Sequence, residues 1–310
     1  MKRPLFSCVI PVKGERPFFD EALESLKSQG IGDDLEIIVQ DADVFNTEAQ
    51  RRGGTEDFSG VCGAGEDELR AFNKNSFESL SLCVEKNIDG VRWCKELDKG
   101  QSDAFNKGFA KAKGEWFFWL NADDVLLPGA LHKVIQLLHS PTFNSSTSPC
   151  WIAGNQLLID DVGKVVGCSV GNGWHSWLYR HAVPHVYGPS SFFKRELFER
   201  VGGCDVSLNY CMDWDLWIKF MQNGAKFFRI NDYIWAQRQW VGSKTQRAKS
   251  ECESETQWEE ITHMLARNGI ESTLAGTMLV RIWRLLNGNI PRQLIDEMRF
   301  CGKHYSEVCV

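Results

Sequence analysis

Two adjacent carboxylates follow the most aromatic segment of the chain. Asp123 and Asp124 come after residues 115–120, which read EWFFWL, with Asn121 and Ala122 in between. Adjacent acids repel each other, and a hard divalent cation with oxygen ligands would relieve that repulsion. Asn and Asp are also common turn residues, so a purely structural turn is the alternative. The pattern therefore indicates either a cation site or a purely structural turn at the end of a strand.

The flanking residues predict the elements that would position this acidic turn. EWFFWL is too apolar for a half-exposed strand, so it predicts a central strand covered on both faces. Before it, Phe105 and Phe109 recur at helical spacing, with Ser102 or Asp103 as the cap and Gly114 as a left-handed closing residue. Open α/β sheets bind ligands at the carboxyl ends of their strands, which is where the acidic turn would lie.

A second pair of carboxylates flanks Trp214. Asp213 and Asp215 stand at the predicted start of a helix whose apolar face includes Trp217 and Phe220. A carboxylate at a helix N-terminus can cap backbone donors, and it can also act as a base in a cleft. We expect the two side chains to differ in role. The apolar residues directly after Asp215 favour Asp215 as the one that caps the helix.

The remaining pattern predicts an α/β fold. Residues 6–12 and 35–40 read as strands with a helix over 17–28 between them, and the second strand ends at Asp41. Strand, helix and strand at this spacing predict a right-handed crossover and a parallel sheet. A helix is predicted over residues 76–86, a short strand over 91–94, and a hairpin over 151–170 with its turn at 161–163.

Two segments are harder to interpret. Residues 44–75 contain the Gly- and charge-rich run GGTEDFSGVCGAGEDELR, which predicts either a mobile loop over a pocket or an excursion without function. Residues 174–187 are aromatic and carry His175, His181 and His185. Three histidines raise the possibility of a metal site, but Pro184 interrupts their helical spacing. An acceptor-side lining or ordinary core packing is the preferred interpretation.

Composition narrows the class of protein. The chain has 310 residues, a net charge of −6 and a pI near 5.7, so it lacks the basic footprint of a general nucleic-acid binder. Its 11 cysteines form no CxxC pair, which predicts reduced thiols and a cytoplasmic location. We find no secretory signal and no run long enough to span a bilayer.

The chain also resembles a known family. The segments ELDKGQSDAFNKGFAKAKG (96–114) and WLNADDVLLPGAL (119–131) match its motifs, as do GPSSFFKRELFERVGG (188–203) and YCMDWDLW (210–217). These motifs resemble those of the inverting family 2 glycosyltransferases. The resemblance implies a GT-A fold, with a Rossmann-like, mostly parallel central sheet flanked by helices. It implies a catalytic domain over residues 1–245 and a C-terminal helical extension over 246–310.

The resemblance also implies a ligand set. A nucleotide-diphosphate sugar, most simply a UDP-sugar, would be the donor, and Mn²⁺ or Mg²⁺ would assist. Asp123 would be the main metal ligand with Asp124 in support, and Asp213 would be the catalytic base. The implied donor-binding residues are Pro11, Val12, Asp41, Asp98, Gln101, Ser102, Asp103, Lys107, Asn121, Ala122 and Arg238.

The chain departs from the family pattern at several positions. Gly188, Ser190 and Ser191 replace a Gln and an Ala-Thr pair on the acceptor side, and Trp240 replaces a His in the closing segment. Arg238 or Lys244 could neutralise the departing diphosphate in place of that His. A glycan or a lipid-linked glycan would be the acceptor. A nucleotidyltransferase and a non-catalytic sugar-binding relative are the alternative functions.

The last sixty residues lie outside the resemblance and are predicted to be helical. Residues 274–286 are apolar except for Arg281 and Arg284 and the small polar positions near their start. This segment could pack on the core, form a homodimer contact, or rest on the inner face of a membrane.

Overall fold

The computed structural model describes residues 3–42, 84–143, 148–173, 186–247, 251–270 and 273–308. The predicted insertion over 44–75 and the three histidines of 174–187 lie outside these ranges. The described strands are β1 (Phe6–Val12), β2 (Leu35–Asp41), β3 (Val84–Ile88), β4 (Val91–Lys95), β5 (Trp116–Trp119), β6 (Val125–Leu126), β7 (Trp151–Ile159), β8 (Val165–Ser169), β9 (Ser191–Lys194) and β10 (Phe227–Arg238). The described helices are α1 (Phe19–Lys27), α2 (Gln101–Lys111), α3 (Ala130–Leu138), α4 (Arg195–Arg200), α5 (Met212–Gln222), α6 (Lys244–Arg247), α7 (Glu251–Arg267), α8 (Leu274–Leu286) and α9 (Asn289–Phe300).

The ten described strands form one mixed sheet in the order β3-β4-β2-β1-β5-β9-β7-β10-β6, with β8 paired to β7. β4, β2, β1 and β5 are parallel neighbours, and β7 and β10 run in that same direction beyond the antiparallel β9. Six of these ten strands therefore end at one edge. The prediction of a mostly parallel sheet flanked by helices is confirmed.

The aromatic strand β5 is covered on both faces, as its composition predicts. Phe117 and Trp119 belong to a core cluster that includes residues of α2 and α5, whereas Trp116 and Phe118 belong to a second cluster beside α1 and α3. Trp119 stacks on Trp217 of α5 with ring centroids 5.7 Å apart. This packing fixes the end of β5, from which the acidic turn leaves.

Three local predictions are wrong. Ser102 and Asp103 do not cap α2, which begins at Gln101 and has Gly100 as its N-cap residue. Gly114 is not left-handed. A Cβ at this position would lie 2.6 Å from the backbone N of Ser7, so the glycine permits a close approach to β1. Residues 84–86 were predicted to end a helix, but they begin β3. Asp89 and Gly90, with φ of 51° and 79°, turn β3 back onto β4. The hairpin of β7 and β8 is confirmed.

The C-terminal helices pack on the sheet. Tyr233 of β10 donates a 2.8 Å hydrogen bond to Asp296 of α9, and its ring lies 5.8 Å from that of Phe300. Arg267 of α7 forms an ion pair with Asp215 of α5. Within the described ranges, no helix combines the length and hydropathy required to cross a bilayer.

Candidate active site

A cleft of about 890 Å³ opens at the carboxyl edge of the sheet. It is bordered by the loop after β1, the start of α2, the turn after β5, the end of β10 and the start of α5. The predicted site residues that line it are Pro11, Val12, Asp98, Gln101, Asn121, Ala122, Asp123, Asp124, Asp213 and Arg238. The long match in sequence therefore brings most of its polar residues to one place.

Asp124 is held inside the turn by the protein itself. It is 2% exposed, and its Oδ1 accepts a 2.9 Å hydrogen bond from the backbone N of Arg238. Its Oδ2 accepts a 2.8 Å bond from Nδ2 of Asn121. Burial and the neighbouring Asp123 raise the pKa of Asp124 well above its usual range. Both oxygens thus have donors within the protein, which fixes the shape of the turn.

Asp123 is half-buried and lines the cleft. Its Oδ2 accepts a 2.8 Å hydrogen bond from Nε1 of Trp240, and the Trp240 ring packs edge-on against Phe18 with centroids 5.4 Å apart. Burial raises the pKa of Asp123, while the Trp240 hydrogen bond and the charge of Arg238 oppose that rise. Oδ1 accepts no side-chain or distant backbone hydrogen bond within the described ranges.

Arg238 has a structural set of contacts. Its side chain is buried, and its Nη2 forms a 2.6 Å ion pair with Glu21 of α1. Nε donates to the Asp123 carbonyl at 3.1 Å, and Nη1 donates to the Asp160 carbonyl at 3.0 Å. All three nitrogens therefore hold the acidic turn against α1 and the end of β7. These contacts leave the guanidinium little capacity to bind a diphosphate.

Lys244 lines the cleft, as do the cationic residues Lys13, Arg16 and Arg238. Its Nζ donates to Oε1 of Gln101 at 3.1 Å and to the carbonyl of Asn209, and it lies 5.3 Å from the ring centroid of Tyr210. Gln101 in turn donates to Oδ1 of Asn121 at 2.9 Å. A hydrogen-bonded row thus runs from α6 across α2 to the acidic turn.

Asp213 meets the requirements of a base near neutral pH. It lies in the first turn of α5 at the cleft, and its Oδ1 accepts a 2.9 Å bond from the backbone N of Trp214. Burial raises its pKa to about 6, and the charge of Lys244 opposes the rise. A carboxylate with this pKa is ionised at neutral pH and remains a stronger base than an exposed aspartate.

The prediction that Asp215 caps helix α5 is wrong. Asp215 is 1% exposed and pairs with Lys219 at 2.9 Å and with Nη2 of Arg267 at 2.5 Å. The N-cap residue of α5, Cys211, makes no capping bond with its side chain, and the first-turn donor at Trp214 is bound by Asp213. Asp215 instead ties α5 to α7, and Asp213 alone of the pair lines the cleft. Arg267 lies 52 residues from Asp215 in sequence. The local pattern therefore gives no sign of this ion pair and favours a cap.

Four predicted donor-binding residues do not line the cleft. Ser102 is buried and donates to the Leu208 carbonyl at 2.7 Å, which ties α2 to the segment before α5. Asp103 and Lys107 form a 3.1 Å ion pair along α2. Asp41 is buried at the end of β2, where Arg16 approaches it at 3.4 Å. Arg16 itself lines the cleft, and Asp41 contacts Arg16 without lining the cleft.

The cleft also contains Gln156, which sequence reasoning missed. It lies on β7 and is 6% exposed, and its Oε1 has no hydrogen-bond partner among the described residues. A buried acceptor without a donor is costly unless a ligand or water supplies one. A polar residue within an otherwise apolar strand was the available signal.

The donor set fits a cation whose coordination is completed by phosphate. Across the described part of the chain, no three His, Cys, Asp or Glu side chains are grouped as a metal site. Asp123 offers a carboxylate oxygen beside a cleft lined by Lys244 and amide side chains. Mg²⁺ is commonly bound by one or two carboxylates together with substrate phosphates. The arrangement fits that mode, whereas it does not fit an all-protein cage.

Comparisons with known proteins show which proteins the chain is similar to. The model of the family described as "Glycosyl transferase family 2" matches residues 84–152. An uncharacterised glycosyltransferase of Rickettsia prowazekii is 23% identical over 231 residues, which cover 73% of this chain and 61% of the relative. A PGL/p-HBAD biosynthesis glycosyltransferase of Mycobacterium tuberculosis is 24% identical over 235 residues, which cover 73% of each chain.

The fold has a solved counterpart in S. aureus TarS 1-349, in a crystal structure with UDP-GlcNAc. The two share a TM-score of 0.53 and 13% identity, over 87% of this chain and 67% of TarS. This likeness concerns the fold alone. The chain spans about three fifths of the length of the Rickettsia relative. The family model and the glycosyltransferase relatives show that the chain is similar to glycosyltransferase family 2, and the likeness to TarS shows that it has the GT-A fold.

Proposed function

We propose that the protein transfers a sugar, with inversion, from a nucleoside diphosphate donor to an acceptor hydroxyl. One observation carries the proposal. Asp123 and Asp213, on different elements, line the same cleft, one in the acidic turn and the other with a pKa raised to about 6. A UDP-sugar is the favoured donor, and the UDP-GlcNAc complex of TarS supports that choice.

Each polar residue has a role in this reaction. Asp213 accepts the proton of the attacking hydroxyl, which approaches the anomeric carbon from the face opposite the diphosphate. Lys244, held by Gln101 and Asn209, supplies positive charge near the phosphates. Gln156 accepts a hydrogen bond from a sugar hydroxyl, which provides its buried oxygen with a donor.

Asp123 is the residue that would hold Mn²⁺ or Mg²⁺. A bound ion would stabilise the negative charge that develops on the departing diphosphate. We assign Asp124 a supporting role, because both of its oxygens accept hydrogen bonds from Arg238 and Asn121. Arg238 correspondingly shapes the turn, and Lys244 takes over the role of neutralising the phosphates.

Two measurements test the function. Thermal shift with nucleoside diphosphates, with and without Mn²⁺, should identify a stabilising pair of ligands. Mass spectrometry with the matching nucleotide sugar and a panel of glycan and lipid-linked glycan acceptors should then detect sugar transfer and release of nucleoside diphosphate. Formation of a nucleotide sugar with release of pyrophosphate would instead identify a nucleotidyltransferase. Binding without turnover on any acceptor would favour a non-catalytic relative.

A further inference from the structure

The C-terminal pair of helices carries a broad exposed apolar surface, which we call the hairpin face. Isolated exposed apolar residues are ordinary, whereas a contiguous set indicates an interaction site. Exposed fractions on the hairpin face range from 54% at Leu279 to 88% at Leu274. Its members are Leu274, Met278, Leu279, Ile282, Leu285 and Leu286 of α8, with Leu294, Ile295 and Met298 of α9.

Helical spacing places these residues on one side of each helix. Leu274, Met278, Ile282 and Leu285 recur every three or four positions along α8, while Val280 on the other side is fully buried. Thr273 caps α8 with a 3.0 Å bond from the backbone N of Gly276. The helix is therefore regular, with one side packed and the other side apolar and exposed.

The outward direction of the hairpin face is fixed by polar contacts behind it. Arg284 of α8 donates to the Val170 carbonyl at 3.0 Å. Asn289, at the start of α9, accepts a 3.1 Å bond from Arg229 of β10. With the Tyr233–Asp296 bond, these contacts hold both helices on the sheet. The apolar side cannot turn inward without breaking them.

The exposed charges on the two helices and the turn after them are basic, whereas Glu307 in the following segment is exposed and acidic. The exposed charged side chains over residues 273–303 are Arg281, Arg299 and Lys303. The two acids of α9 are partly buried and contact the sheet, since Asp296 accepts from Tyr233 of β10 and Glu297 accepts from the backbone N of Cys168 on β8. This contrasts with the net charge of −6 for the whole chain. A positive rim around an apolar face complements anionic lipid headgroups, whereas a two-fold contact would oppose like charges.

We propose that the hairpin face docks on an anionic membrane surface, with the apolar side chains below the headgroups and the three basic residues among them. α8 is about 20 Å long, which suits a helix that lies in the interface. The proposal goes beyond sugar transfer and does not depend on it.

Vesicle flotation tests the proposal on the full chain. Wild type should float with phosphatidylcholine vesicles that contain phosphatidylglycerol, and high salt should weaken the binding. Arg281→Glu with Arg299→Glu should lower the partition coefficient by more than about twenty-fold, at about five-fold for each basic residue lost. Leu279→Ser with Ile282→Ser should lower it at least about ten-fold, because less apolar area is buried.

Matched controls use exposed residues elsewhere. Trp258→Ser on α7 removes an exposed apolar side chain, and Arg200→Glu on α4 reverses an exposed charge; both should bind vesicles like wild type. Circular-dichroism melting should show that every variant remains folded. Failure of wild type to float would overturn the proposal, as would unchanged binding by both hairpin variants. Sedimentation equilibrium could instead show a dimer that does not depend on lipid and that Leu279→Ser with Ile282→Ser dissociates. That result would assign the surface to a contact with a second copy of the chain. None of these readouts requires turnover, so they are independent of the proposed activity.

Discussion

The indole of Trp240 donates a 2.8 Å hydrogen bond to Oδ2 of Asp123, across 117 residues of sequence. The bond leaves the carboxylate one oxygen that no side chain or distant backbone donor occupies within the described ranges, and it anchors the closing segment to the acidic turn. Trp240 stands where the resembled family has a His. At this position the indole N–H orients a carboxylate by donating a hydrogen bond. A neutral imidazole that ligated a metal would instead use the lone pair of a ring nitrogen.

Replacing this donor should weaken metal-dependent binding. Trp240→Phe retains an aromatic ring against Phe18 but removes the N–H that orients Asp123. Loss of such a partner to a metal ligand typically costs 10–100-fold in affinity, so the Mn²⁺-dependent affinity for UDP should fall by about ten-fold or more. Calorimetry measures it. Trp258→Phe, at an exposed tryptophan on α7, is the control and should leave the affinity unchanged.

The two adjacent acids should respond differently to the same substitution. Asp123→Asn should abolish the Mn²⁺ dependence of nucleotide binding with little change in melting temperature. Asp124→Asn should lower the free energy of unfolding by about 1–3 kcal/mol, because an amide cannot accept from both Arg238 and Asn121. Calorimetry and urea unfolding separate the effects. Equal loss of metal dependence in both variants, without destabilisation, would assign the ligand role to both residues.

Asp213 should set the acid limb of the pH–rate profile. A base must be deprotonated, and burial raises its pKa to about 6. Turnover should therefore be flat above about pH 7 and fall about ten-fold per pH unit well below pH 6. Asp213→Asn should reduce kcat by roughly 10²–10⁴-fold. Because the variant removes a partly buried carboxylate, its melting temperature at pH 8 should be at least that of wild type. Near wild-type turnover would refute the assignment.

Substitution of Asp215 should change the free energy of unfolding and leave nucleotide binding unchanged. Its carboxylate joins Arg267 and Lys219, so Asp215→Asn should lower the free energy of unfolding by about 2 kcal/mol and leave nucleotide affinity intact. Asp205→Asn is a matched control on the same Arg267, at a carboxylate that is 24% exposed. It should cost less than about 1 kcal/mol. A loss of nucleotide affinity in Asp215→Asn at temperatures where it is folded would contradict this role.

Gln156 should affect sugar recognition. Gln156→Leu keeps a similar volume and removes the buried, partnerless Oε1, so the melting temperature should stay the same or rise. If that oxygen accepts from a sugar hydroxyl, kcat/KM should fall by about ten-fold, measured with UDP release. Unchanged kcat/KM would remove Gln156 from the recognition set.

The layout of the site could be predicted from sequence because its elements are local. EWFFWL predicts a buried strand, and a polar run after it must lie at the ligand edge of a parallel sheet. The motif also identified Asp213, since the cleft lies beside the start of α5. Fold class and the family resemblance followed from the same residues.

The contacts that the sequence does not predict involve partners that are distant in sequence. Arg238 looked like a phosphate ligand because it is a cation in a closing motif, but its partner Glu21 is 217 residues away. Ser102 looked like a cap or donor ligand, yet it donates to Leu208. Neither partner has a signal in the local pattern. The sequence pattern predicts a helix terminator at Gly114 because the approach of β1 is visible only in three dimensions.

The hydrogen bond from Arg238 N to Asp124 Oδ1 spans 114 residues of sequence. Arg238 lies on β10, which is the last of the described strands to be synthesised. At ordinary rates of synthesis, the acidic turn emerges from the ribosome roughly ten seconds before β10 can pair beside it. During that interval Asp124 lacks its main-chain donor and the cleft lacks one wall. β1, β2 and β5 can pair early, so part of the sheet can form before the cleft is complete. Ribosome stalling or truncation anywhere before residue 238 would leave a partly folded protein whose acidic turn lacks the hydrogen bond from Arg238 N.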